Sequence, residues 1–344
     1  MQVTKVPTQS ALRLHTKVKK PTRSTKARNT ITRNPSSKRN NVSSRARPHC
    51  HLISLGIPQA RHYSSEMKPS LFQNQVVWIT GASSGIGAAM AKDFIARGAK
   101  VILTARRQDR LAELERELNA NPAESPRAKV LVADLSKLED LPSLAQKAIA
   151  CFGHLDVLFN NAGISQRSLV VDTPFAIEQQ MITIDLLSPI ALTKAVLPHF
   201  LSRKKGRVLV TSSLMGELEL PGNATYACVK HALNGYFYSM AFEVEKLGIL
   251  VQVLEPGFVR TEVSESAITA SGQKYGKMDS TQANGMSAEA FSHRVFPKIE
   301  SGQTSIRVAG KEGLAMILKR LSPALYRVSV KNFAKLILKD RLKT

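Results

Sequence analysis

Acidic side chains are missing from the first 65 residues, which hold 14 Lys and Arg and not one Asp or Glu. Cysteine is scarce: Cys50, Cys151 and Cys228 are the three in 344 residues. That excludes a disulfide scaffold and, with no CxxC pair, a paired-thiolate metal site. No run of 18 apolar residues stands out, which argues against a conventional membrane-spanning helix. No apolar core of about 7–15 residues follows the basic start, which argues against a secretory signal. No His falls in a metal-ligand pattern, and His154 and His231 read as surface or capping residues. At 43% hydrophobic and 22% charged, the chain is not a wholly disordered one.

What is abundant is positive charge, a formal +23. A global reading would suggest a nucleic-acid or anionic-membrane binder. The distribution argues otherwise for the middle of the chain. Residues 66–300 hold 25 basic and 24 acidic side chains, while residues 301–344 hold 10 and 2. A near-neutral middle with no nucleic-acid motif counts against a DNA-binding role. The Arg-, Lys-, Ser-, Thr- and Asn-rich segment 1–65 cannot bury enough apolar surface to fold alone. Its composition suits an organelle transit peptide. It ends in Arg61-His62-Tyr63-Ser64-Ser65, similar to a mitochondrial presequence cut before Ser64, which would remove Cys50. A disordered basic tail, a chloroplast address and an unusual gene start are the alternatives.

From about Gln73 short apolar, β-branched runs alternate with helical segments. The runs are VVWIT (76–80), KVILTA (100–105), AKVLVADL (128–135), LDVLFN (155–160), RVLVTS (207–212) and LVQVLEPG (250–257). The helices between them run from Gly85 to Arg97, Asp109 to Ala120, Leu141 to Cys151, Ile177 to Leu201 and Tyr226 to Lys246. This alternation predicts an α/β fold, a doubly wound parallel sheet with helices on both faces. The expected organisation is a targeting segment over 1–65, one domain over 70–307, and a basic helical extension over 308–344.

The first turn reads Thr80-Gly81-Ala82-Ser83-Ser84-Gly85-Ile86-Gly87. It closes a strand and opens a helix, the setting in which glycines let backbone approach a pyrophosphate and free N–H groups meet the anion. Glycines also make ordinary turns, so the setting carries the reading. Further on, Tyr226 and Lys230 are i and i+4 and share a helix face. A free tyrosine titrates near ~10, and an adjacent ammonium favours the phenolate. Tyr226 can then exchange a proton with a carbonyl or alcohol oxygen that Ser213 holds by a hydrogen bond. A tyrosine that only packs an amphipathic helix is the alternative. Cys228, between the two, reads as a small packed side chain, as does Cys151.

These motifs occur in one order: the GxxxGxG turn, Asn160-Asn161-Ala162-Gly163, Ser213, Tyr226 with Lys230, and Pro256-Gly257-Phe258-Val259-Arg260-Thr261. Together they resemble the short-chain dehydrogenase/reductase family over roughly 73–299. The resemblance implies a Rossmann-like three-layer domain in which hydride passes between substrate carbon and nicotinamide. It also implies a dimer or tetramer through two long helices. It places Gly81, Ser83, Ser84, Gly85, Ile86, Gly87, Asn161, Val259 and Thr261 at the cofactor, and Lys230 on its ribose beside Tyr226. Asp134 matches the position near the adenine, and its residue type also suits a helix N-cap. At the end of the second strand Ala105, Arg106 and Arg107 stand where an NAD enzyme has an acid. A guanidinium there pairs with a 2′-phosphate, so NADP(H) is the expected cofactor. One position departs from the pattern. Asp185, in Ile184-Asp185-Leu186-Leu187-Ser188-Pro189, stands where the family has an Asn that helps hold a water in a proton relay. An ionised Asp185 accepts but cannot donate.

The wording of 267–287, a lid over the substrate in this family, and of CFGHLDVLFNNAGIS (151–165) is similar to the member-seven group, particularly its B branch. That group implies membrane association and carbonyl, steroid, retinoid or lipid-like substrates. The extension adds a basic stripe of Arg327, Lys331, Lys335 and Lys339, with Leu325, Tyr326, Val330, Phe333 and Ile337 as an apolar counter-face after Pro323. Such a helix lies on a lipid interface or packs on the enzyme. The reading is an NADPH-dependent carbonyl/alcohol oxidoreductase. A mitochondrial 3-oxoacyl thioester reductase, or a catalytically weak nucleotide-binding scaffold motivated by Asp185, are its rivals.

Overall fold

The computed structural model describes residues 70–338, except Pro122, Glu124, Ser264, Met278 and Asp279, and without the side chains of Ser280, Thr281, Leu336 and Ile337. The 1–65 segment, Cys50, Lys339 and the Ile337 side chain therefore lie outside the described residues. Seven strands form one parallel sheet: β1 (Val76–Thr80), β2 (Lys100–Thr104), β3 (Ala128–Val130), β4 (Val157–Asn160), β5 (Gly206–Thr211), β6 (Ile249–Pro256) and β7 (Ser305–Val308). Their order is β3-β2-β1-β4-β5-β6-β7. β1 lies in register with both β2 and β4, Val77 facing Val101 on one side and Val157 on the other. The direction of winding reverses between β1 and β4, and in open α/β sheets ligands bind at the carboxyl ends beside that reversal.

The strands are buried on both faces because helices cover both, which is why they read as unbroken apolar runs. One face packs on α1 (Gly85–Ala96), α2 (Gln108–Leu118) and α6 (Ala288–Glu300). There Phe72, Phe94 and Phe296 meet edge to face, with centroids 4.8–5.8 Å apart. The other face packs on α3 (Leu141–Phe152), α4 (Phe175–Arg203) and α5 (Ala224–Val244). Trp78, the only tryptophan, is fully buried and donates its indole N–H to Thr104 Oγ1 at 2.9 Å. Past β7, α7 (Leu314–Leu321) and α8 (Pro323–Leu338) lie on a third cluster formed with Leu214 and Leu218.

Several boundaries differ from the sequence reading. β3 ends at Val130, although Leu131 and Ala133 N–H groups still donate to Leu103 and Ala105 carbonyls along the edge. Helix α4 is 29 residues long and contains an 18-residue stretch with a mean hydropathy of 1.4, apolar enough by composition to cross a membrane. It is still not an unbroken apolar run, because Asp185, Ser188 and Lys194 interrupt it. Here its apolar side packs in the core, through Leu192, Val196 and Phe200. Its middle, Thr183–Leu187, widens into a π-turn, a distortion that often marks functional positions.

Asp156, before β4, is buried and anchors this face. Its carboxylate accepts from Val76 N–H at 2.9 Å and from Arg203 at 2.8 Å. Burial pushes its pKa up, but these bonds and the charges of Arg203 and His154 outweigh it, and the net direction is down. A depressed carboxyl stabilises the fold above its unfolded value and stops doing so as pH falls through the folded value. Replacing Asp156 by Ala is expected to lower the unfolding free energy by about 2 kcal/mol at neutral pH, because the buried Val76 donor loses its acceptor. Urea denaturation curves at neutral and acidic pH check this, with the difference shrinking in acid.

Candidate active site

The glycine turn sits at the end of β1. Gly81 and Gly85 have positive φ, 66° and 56°, a region costly for residues with a Cβ. A Cβ on Gly87 would lie 2.3 Å from the Gly81 carbonyl oxygen, so the turn closes on itself only with glycine there. Ser84 is the N-cap of α1 but makes no side-chain cap bond to the helix. Its hydroxyl instead accepts from Arg107 at 2.8 Å. First-turn N–H groups with the helix dipole behind them suit a phosphate. Ile86 packs on the core behind the turn, and Thr261 lies against Gly85. Val259 is buried and pairs with Met286 in a two-residue parallel ladder, Val259–Arg260 against Met286–Ser287.

Two expected cofactor residues have structural work that the sequence reading did not assign. The Asn161 amide donates to the Thr80 and Gly81 carbonyls and accepts from Thr211 Oγ1 at 3.0 Å. It therefore braces the turn from behind. Asp134 does not cap a helix: Lys137 precedes the 3₁₀ turn and Asp140 precedes α3. Its carboxylate closes a local turn, accepting from the Ser136 N–H and hydroxyl at 3.0 and 2.9 Å. The Ser136 N–H and hydroxyl and the Arg106 and Lys137 charges outweigh burial and hold its pKa below the usual range.

Arg107 is the strongest electrostatic feature of the turn. It donates to the Ser83 and Ser84 hydroxyls and pairs with Glu262 at 2.8 Å. The contact bridges the end of β2 and the segment after β6, 155 residues apart. Arg106 is exposed beside it. Glu262 has its carboxyl lowered by the bond to Arg107.

At the end of β5, Ser213 caps the short 3₁₀ turn Leu214–Gly216, its hydroxyl oxygen accepting from Met215 N–H at 3.1 Å. The hydroxyl hydrogen remains available to a substrate oxygen. That turn is held to α5 by Asn234, which donates to the Gly216 carbonyl. On α5, the Lys230 ammonium lies 5.3 Å from the Tyr226 ring centroid and donates to the Thr211 carbonyl at 3.3 Å. Tyr226 is half-buried and Lys230 is buried. Thr211, which the sequence reading passed over, thus serves both Asn161 and Lys230; its place at a strand's carboxyl end is the signal that could have found it.

Asp185 completes the cluster. It sits in the π-turn of α4, fully buried, with one oxygen accepting from Ile164 N–H at 2.8 Å. Its other oxygen lies 3.4 Å from the Lys230 ammonium. That is a charge contact rather than a tight hydrogen bond, and among the described residues this oxygen has no hydrogen-bond partner. Gly163 makes room, since a Cβ there would lie 2.9 Å from it. Burial lifts the Asp185 carboxyl against the pull of Lys230. Burial alone would push Lys230 down, but Asp185 and Tyr226 outweigh it and hold the ammonium above its usual value.

Cys228 is exposed, not packed as expected. It borders a cavity of about 570 Å³ with Leu220, Pro221, Ala224 and Val330. His231 donates its Nδ1–H to the Ala227 carbonyl, 2.8 Å away, and His154 pairs with Asp156 at 3.1 Å. Among the described residues no group of three or more His, Cys, Asp or Glu is placed to hold a metal ion.

Known proteins resemble this chain in sequence and fold. The family model for short chain dehydrogenase matches residues 75–271. The chain is 37% identical over 258 residues to dehydrogenase/reductase SDR family member 7B of Bos taurus, covering 74% of this chain and 79% of that one. It is 36% identical over 263 residues to dehydrogenase/reductase SDR family protein 7-like of Drosophila melanogaster, covering 74% and 80%. A short-chain dehydrogenase from Streptomyces avermitilis superposes with a TM-score of 0.64 at 29% identity, over 76% of this chain and 97% of that one. A metagenomic short-chain oxidoreductase solved with NADP gives 0.58 at 27% identity, over 70% and 99%. The chain belongs to the short-chain dehydrogenase/reductase family of oxidoreductases. Within it, curated relatives at 33–37% identity carry the name member 7B.

Proposed function

We propose that this protein is an NADPH-dependent oxidoreductase that interconverts a carbonyl and an alcohol on a hydrophobic or lipid-like substrate. The observation that carries the reading is the placement of Lys230 5.3 Å from the Tyr226 ring, one helical turn along the same face. The glycine turn fits a dinucleotide pyrophosphate, and a related structure was solved with NADP. When bound, the nicotinamide supplies or takes the hydride. Tyr226 holds and moves the proton at the substrate oxygen, Ser213 donates a hydrogen bond to that oxygen, and Lys230 biases Tyr226 electrostatically and meets the ribose. NADPH oxidation by the purified protein over ketosteroids, retinal and 3-oxoacyl thioesters tests the reading. Turnover confined to the thioesters would favour the fatty-acid reductase, and cofactor binding with no turnover on any of them would favour a scaffold.

Arg107 supports the 2′-phosphate preference, since Ser83, Ser84 and Arg107 already cluster at the turn. An Arg107→Ala variant is expected to lose about 10- to 100-fold in kcat/KM for NADPH with little change for NADH, the range of a charge-assisted phosphate contact. Glu262→Gln is expected to move the other way, because Glu262 competes with a phosphate for the same guanidinium. Equal use of both cofactors by the unmodified enzyme would overturn the preference. The acid-free segment 1–65 supports a mitochondrial address, which a fluorescent fusion of residues 1–70 tests by its destination in cells.

A further inference from the structure

The outer side of the C-terminal helix pair combines exposed apolar side chains with charge of one sign. α7 and α8 both turn their inner edges to one cluster, through Met316 on α7 and Tyr326 and Val330 on α8. The apolar counter-face expected of α8 is therefore split, with Tyr326 and Val330 packed on the enzyme. Tyr326 also exchanges hydrogen bonds with the Glu219 backbone, and Lys319 pairs with the Glu219 carboxylate. The inner edge is thus fully engaged, and the outer edges turn away from the body.

Those outer edges are apolar. Leu314, Ile317 and Leu321, at i, i+3 and i+7 of α7, are 64, 55 and 79% exposed, and Leu325 and Val328 of α8 are 59 and 53% exposed. A solvated helix places polar side chains there, and grouped exposed apolar residues mark an interaction site. The charge beside them has one sign. From Gly313 to Leu338 there is no Asp or Glu. Lys319 is paired with Glu219, while Arg320, Arg327, Lys331 and Lys335 are exposed. On α8 the last three recur every four residues alongside Val328.

This charge decides the occupant. A second copy would bring an equally cationic, acid-free face against the first, and like charges would repel. A nucleic acid would satisfy the cations but leave five large apolar side chains in water. An anionic bilayer surface satisfies both, apolar side chains entering the headgroup–acyl boundary and cations meeting the headgroups. We propose that the outer face of α7 and α8 docks the protein on an anionic lipid surface. Through Glu219 the docked helices are tied to the segment between Ser213 and Tyr226, so the wall of the catalytic site is anchored to the bilayer with them.

A local reporter separates this face from the basic segment 1–65, which would also bind anionic vesicles. Trp78 is the only tryptophan and is fully buried, so Leu325→Trp in the full chain reports on α8. Its emission is expected to shift to the blue with vesicles of phosphatidylcholine and phosphatidylserine, and much less with phosphatidylcholine alone. Adding Arg327→Glu, Lys331→Glu and Lys335→Glu is expected to weaken that shift at least about tenfold in lipid concentration. Four results would overturn the proposal: vesicle binding with no change in emission; a shift indifferent to lipid charge; a shift that follows protein concentration without vesicles, which points to a second copy; or an equal shift with duplex DNA.

Discussion

Replacing Tyr226 by phenylalanine is expected to lower kcat by about 10²–10⁴-fold while leaving the NADPH dissociation constant nearly unchanged. That range is the usual contribution of a positioned acid–base group. The phenol oxygen is the one atom removed. The ring remains to pack, so the half-buried site keeps its shape. On the proposed mechanism Ser213 would still donate to the substrate oxygen and the glycine turn would still receive the dinucleotide, so the expected loss is one of proton transfer rather than of binding. Lys230→Met is expected to be as severe and to weaken cofactor binding too, since it also strips Asp185 of the charge that offsets its burial. Isothermal titration with NADPH, alongside turnover of whichever carbonyl the unmodified protein reduces, checks both. Turnover within a few-fold of the unmodified enzyme in Tyr226→Phe would remove Tyr226 from the chemistry.

What the chain announced and what it hid divide along sequence distance. The glycine turn was readable because strand, glycines and helix start lie within a dozen residues, and each has its own local requirement. Tyr226 and Lys230 were readable because helical periodicity alone puts them on one face. Arg107 was readable as a cation at the end of β2, but its bond to Glu262 was not, because only the folded sheet brings those segments together. The π-turn that carries Asp185 into the core has no signature in the run Thr183–Leu187. Cys228 was misjudged for a related reason. A cysteine reads as a small packed side chain by its type, whereas the helix turns that side toward a cavity shared with Val330, more than a hundred residues on. The C-terminal helix showed its amphipathic pattern plainly, but period alone could not say that the Leu214 turn and Leu218 would take only one edge of it.

Asp185→Asn is expected to move the pH range in which the site works. With Asp185 ionised, its carboxylate 3.4 Å from the ammonium cancels part of the field that Lys230 presents at the Tyr226 ring, 5.3 Å away. Asparagine removes that negative charge but keeps the shape and the acceptor for Ile164 N–H. Two shifts follow in sign. The Lys230 ammonium, raised chiefly by Asp185 against its burial, falls toward its ordinary value. While it stays protonated, its uncancelled charge favours the phenolate more strongly. Carbonyl reduction needs the phenol, so its alkaline fall-off should begin at lower pH in Asp185→Asn. Alcohol oxidation needs the phenolate, so its acidic rise should begin at lower pH as well. A displacement of about one pH unit corresponds to ~1.4 kcal/mol of differential interaction, modest for two charges this close in a buried setting. The measurement is kcat/KM against pH in both directions for the two enzymes. Parallel displacement of both limbs supports the electrostatic role. Superimposable profiles would mean that Asp185 only fills space, and lower activity at every pH with unmoved limbs would mean that it positions Lys230 without tuning the charge.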